Sequence, residues 1–73
     1  MKIEYDQEAD ALYIQFKEAP PEDNIDIEEG VTVDLDKEGH MIGLEVLDAA
    51  ARFGMASLLK VSIENMPLEK APA

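Results

Sequence analysis

Asp6, Glu8 and Asp10 place three carboxylates at every second position of a short polar segment, the spacing at which hard oxygen ligands converge on calcium or magnesium. A complete calcium loop of the helix-loop-helix kind also needs a glycine at its sixth position and a bidentate glutamate at its twelfth. Counted from Asp6, those positions hold Ala11 and Lys17. The segment therefore reads as a turn in which Asp6 or Asp10 accepts hydrogen bonds from nearby backbone N–H groups, with a small cation site as the alternative. Asp34, Asp36 and Glu38 repeat the spacing and read as the solvated side of a strand. Two carboxylates act as general acid and base only when one is held in an apolar pocket that raises its pKa. A chain of 73 residues has little room for one. His40 follows a glycine, there is no cysteine, and no serine stands where a base would activate it. No catalytic set and no cofactor motif is recognisable, and the expectation is a protein that is not an enzyme.

Periodicity defines the elements that carry these residues. Lys2 to Tyr5 alternate polar and apolar, and Leu12, Ile14 and Phe16 share one face of a second run, the signature of half-buried strands. Residues 18–24 contain Pro20 and Pro21, which cannot donate to a central ladder, and form a loop. Ile25 and Ile27 mark a short third strand at an edge. Val31, Val33 and Leu35 alternate with polar residues after Gly30, and Ile42, Leu44 and Val46 do so after Gly39. A hairpin joins these two runs, and its loop length decides which side chains face each other. A three-residue loop, Lys37 to Gly39, sets Val33 opposite Gly43. A four-residue loop, Asp36 to Gly39, sets Val33 opposite Ile42 and is preferred because it keeps the apolar rows together.

The expected fold is α+β: a small antiparallel meander of four or five strands, one face covered by a short C-terminal helix. That helix runs from about Ala49 to Leu59, with Asp48 as N-cap and Gly54 as a break. A short last strand follows around Val61 to Ile63. One domain spans residues 1–66, and residues 67–73 form a loose tail. Tyr13, Met41 and Leu47 fall on the face opposite the core, where alternation predicts polar side chains, and constitute a candidate interaction patch.

Seventeen Asp and Glu against six Lys and Arg give a formal net charge of −11, which repels nucleic-acid phosphates and anionic membrane surfaces. Direct nucleic-acid binding is not expected. The opening residues alternate charge with apolar side chains, unlike a signal peptide, and no stretch approaches a membrane span. A cytoplasmic location is expected. Such a charge leaves two kinds of partner, a second copy of the chain that keeps its acids at the rim or a small basic protein.

The stretch Tyr5-Asp6-Gln7-Glu8-Ala9-Asp10-Ala11-Leu12-Tyr13-Ile14, with Gly30-Val31, Asp34-Leu35-Asp36 and Ile42-Gly43-Leu44-Glu45-Val46-Leu47 after it, resembles domain of unknown function family 2283, a set of short prokaryotic proteins. The resemblance covers roughly residues 1 to 48. It implies the fold and supplies no catalytic residue; for some members it implies a role beside small toxin-like proteins. The expected function is a small acidic interaction domain, antitoxin-like or regulatory, acting on another small protein. The alternative is a calcium- or magnesium-binding module built on Asp6, Glu8 and Asp10.

Overall fold

The computed structural model describes residues 1–67. Five antiparallel strands, β1 (Lys2–Asp6), β2 (Ala11–Gln15), β3 (Asp23–Glu28), β4 (Val31–Leu35) and β5 (Met41–Leu47), form one open sheet, followed by α1 (Ala49–Phe53) and α2 (Met55–Leu58). The strand order is β1-β2-β5-β4-β3. The fold is therefore the expected α+β sheet, but its strands form two blocks, the β1–β2 hairpin and the β3–β4–β5 meander, joined where β5 pairs with β2. Composition explains the arrangement. β5 contains Ile42 and Val46, both buried, and takes the centre. β1 and β3 carry Lys2, Glu4 and Asp6, and Asp23, Asp26 and Glu28, charges that suit edges open to water. The connection between blocks, residues 16–22, crosses one end of the sheet. The Phe16 N–H donates to the Ile42 carbonyl at 2.8 Å and the Glu22 N–H to the Leu35 carbonyl at 2.9 Å.

The register corrects the expected hairpin. Val33 lies opposite Leu44 and Val31 opposite Val46, whereas Leu35 lies opposite Met41, with a bulge between the two registers. The loop is the three-residue one: the Asp36 N–H donates to the His40 carbonyl at 2.8 Å, and Gly39 has φ 83°, the left-handed geometry that favours glycine. The odd loop alone would put the apolar rows on opposite faces. The extra residue of the bulge restores parity.

All register partners share a face. One face collects Ile3, Tyr5, Leu12, Ile14, Val31, Val33, Leu44, Val46 and Ile25; the other collects Lys2, Glu4, Tyr13, Gln15, Thr32, Asp34, Glu45 and Asp26. The apolar rows match the expected core, yet their cover is partial. Gly54, φ 85°, breaks the helix where expected. α1 sits across the end of the sheet, and the segment from Ser57 to Ser62 passes over Ile3, Leu12 and Ile14, leaving β3 and β4 open. No strand forms at residues 61–63, which are exposed coil. Among the described residues no helix is long and apolar enough to cross a membrane.

Candidate functional site

The acidic turn between β1 and β2 is an architectural brace. The Asp6 carboxylate accepts from the N–H groups of Glu8 and Ala9 at 3.0 and 3.2 Å, a side-chain-closed turn. Asp10 adopts φ 51°, and its Oδ1 accepts from the Tyr5 hydroxyl at 2.6 Å and from the Ala50 N–H at 2.8 Å. Its backbone carbonyl accepts from the Ala49 N–H at 3.0 Å. Asp10 thus caps α1 from forty positions away along the chain. The expected cap, Asp48, is left-handed and makes no side-chain capping bond, because Asp10 already occupies the first N–H groups. The Tyr5 hydroxyl bond and the Ala50 N–H hold the Asp10 carboxyl below the usual carboxylate range, and the same hydroxyl bond pushes the Tyr5 phenol up. Glu8 points into solvent. Asp6 and Asp10 each spend acceptor capacity on the turn, and the three carboxylates do not form a cluster of converging ligand atoms.

A second brace crosses the polar face. Tyr13 stands in register between Glu4 and Glu45, and its hydroxyl donates to Asp34 Oδ2 at 2.8 Å. To reach it, the ring lies over Gly43, where a Cβ would strike the Tyr13 hydroxyl and ring. Burial of the ring, then the Asp34 bond, raises the Tyr13 phenol above its ordinary value. Around it a hollow of about 580 Å³ opens between Glu4, Asp6 and Glu45, whose carboxylates are exposed. The sheet does not bring Tyr13, Met41 and Leu47 into one patch. Leu47 shares Tyr13's face, opposite Ala11, while the bulge places Met41 in the row of Leu35.

In the β4–β5 turn Asp36, 9% exposed, accepts from the N–H groups of Glu38 and His40, both at 2.9 Å. These bonds, the His40 one foremost, draw its pKa down. Ligand atoms of Asp36, Glu38 and His40 lie within 4.8 Å of one another, a grouping closer than that of the first acidic loop. At the opposite end Arg52, the chain's single arginine, binds the Leu47 carbonyl at 2.7 Å, Glu28 at 2.8 Å and the Glu29 carbonyl. It clamps α1 to the β3–β4 turn, as Asp10 clamps it to the β1–β2 turn. Neither role was legible locally, although one arginine among seventeen acids marks a residue with many available partners.

The surface left unexplained by bracing is the apolar face. Ile25 is 53% exposed, Val31, Val33 and Leu44 are only half-buried, and no large side chain is fully buried among the described residues. A folded chain ordinarily gives such a row a cover. This face, rather than a pocket of polar groups, is the candidate functional surface.

A search of curated proteins and one of solved structures found no match. A family model does match, from Lys2 to Ala49, the stretch holding all five strands, the Tyr5–Asp10 brace, the Tyr13–Asp34 bond over Gly43 and the first, fully buried residue of α1. The chain belongs to the family described as protein of unknown function (DUF2283).

Proposed function

We propose that this chain is a non-enzymatic protein-interaction domain whose apolar sheet face contacts another polypeptide, as an antitoxin-like or regulatory partner does. The observation that carries the reading is the half-covered row Ile25, Val33, Leu44, Ile14, with the charged side chains of the neighbouring rows turned to the other face. Segregation of this kind is what a contact surface needs: a charge-depleted centre inside a polar rim. The signature residues Tyr5, Asp6, Asp10 and Tyr13 support it from a second direction, because each is committed to a structural hydrogen bond within the sheet and its turns. A photo-crosslinking side chain at position 25, on the apolar face, compared with one at 26, on the acidic face, tests the reading in cells. Adducts from 25 well above those from 26 are expected; equal yields, or none, would defeat it. Asp6, Glu8 and Asp10 do not converge and carry no cation reading; a separate cation site would rest on the Asp36, Glu38 and His40 grouping. It requires calcium or magnesium to raise the melting temperature of the wild type and not of Glu38→Gln.

A further inference from the structure

We infer that the occupant of the apolar face is a second copy of this chain, packed sheet against sheet about a twofold axis; the inference rests on the contact-surface reading above. Exposure gives the first reason. Ile25 stands 53% exposed beside Val31, Val33 and Leu44, which are only half-buried, whereas the segment from Ser57 to Ser62 covers Ile3, Leu12 and Ile14. The uncovered part of the face therefore lies over β3 and β4, and two sheets packed there about 10 Å apart make a sandwich with a core.

Charge selects the occupant. A small basic protein would be drawn to the face bearing Glu4, Asp26, Asp34 and Glu45, not to the open part of the other face, bearing Ile25, Val33 and Leu44. The apolar face offers such a partner almost no charge to pair with, its carboxylates Asp23 and Glu28 lying at the ends of β3. For a second copy the same segregation is favourable, since stacking the apolar faces sends both acidic faces outward and keeps their carboxylates a sheet's thickness apart. Edge-to-edge pairing of β3 with β3 would instead bring Asp23, Asp26 and Glu28 against their own kind.

Sedimentation equilibrium of the purified full chain at low and high salt tests this. Twice the chain mass is expected, with association strengthened by salt because screening weakens repulsion between two chains of −11. Ile25→Glu and Ile25→Lys should each weaken the dimer by on the order of tenfold or more, since the axis counts the change twice and each buries an unpaired charge. Gln15→Glu, a charge added to the opposite face, should change it by no more than about twofold. Circular dichroism of each variant confirms that the sheet is retained; Ile25 is already half in solvent, so the monomer tolerates the change. A chain monomeric at hundreds of micromolar in both salts, or a dimer indifferent to both Ile25 variants, would overturn the inference. Should position 25 still crosslink to a different protein in cells, the dimer fails while the interaction reading stands.

Discussion

Gly43 occupies the middle of the central strand, where glycine normally weakens a sheet, and Tyr13 is the reason it is there. The ring fills the space a Cβ would take, which lets the hydroxyl reach Asp34 on β4, two strands away from β2. Gly43→Ala should cost about 1–3 kcal/mol in the wild type, by displacing the ring and leaving a half-buried carboxylate and hydroxyl unpaired. In a Tyr13→Ala background the same substitution should be near neutral, because alanine suits a strand better than glycine once the ring is gone. Equal costs by urea denaturation in the two backgrounds would show that the ring is not the constraint. Asp10 carries a pH dependence of definite sign. Its carboxyl titrates below its ordinary value, so its contribution is complete above the ordinary carboxylate pKa of about 3.9 and is lost as pH falls through the lower folded-state value. Wild type should therefore melt above Asp10→Ala at pH 7, and the gap should narrow as pH falls below the ordinary carboxylate range. The acids of this turn were legible as a turn. The long-range acceptor was not, because nothing near Asp10 in sequence specifies a helix that starts at Ala49.

Among the elements, the β4–β5 hairpin separates what pattern can and cannot specify. Alternation correctly grouped Val31, Val33, Leu44 and Val46 on one face, since burial of one face fixes parity. It chose the wrong loop, because the parity rule assumes an unbroken ladder and the bulge at the Asp34–Leu35 step supplies the missing residue. Gly39 is the residue that makes the shorter loop possible, at φ 83° with nothing near its missing Cβ. Gly39→Ala should cost about 1–2 kcal/mol from backbone conformation alone, and Gly39→Asn distinctly less. Equal, negligible losses for both in thermal melts would mean that the turn does not depend on a left-handed residue at position 39. Strand order was illegible for a similar reason. A meander and the observed order share the β1–β2, β3–β4 and β4–β5 hairpins, and differ in whether residues 16–22 lead the chain to pair β3 or β5 with β2. The helix break at Gly54 was legible because a left-handed glycine sits badly in a helix interior. The apolar alternation at Val61 and Ile63 misled, since a strand also needs a neighbour to pair with, and these residues have none within the described chain.

For the whole molecule, two forces scale differently with conditions, and their separation gives the last prediction. Self-repulsion of a chain at −11 opposes the compact state and is relieved by salt whether the protein is monomeric or not. Association through the apolar face adds stability that depends on protein concentration, because binding to the folded form shifts unfolding by mass action. For a dimer that unfolds to two chains, each tenfold rise in concentration adds about 1.4 kcal/mol per mole of dimer, a few degrees of melting temperature for chains of this size. The wild type should therefore melt higher with salt and, at fixed salt, higher with concentration. Ile25→Glu should keep the first dependence and lose the second at concentrations where it is monomeric. Calorimetry across a hundredfold concentration range distinguishes the cases. A wild-type melting temperature that follows salt alone would mean that the thin sheet, with Ile42, Val46 and Ala49 as its only buried apolar residues among those described, is stable without a cover, and the apolar face would then lose its thermodynamic reason to be an interface between copies.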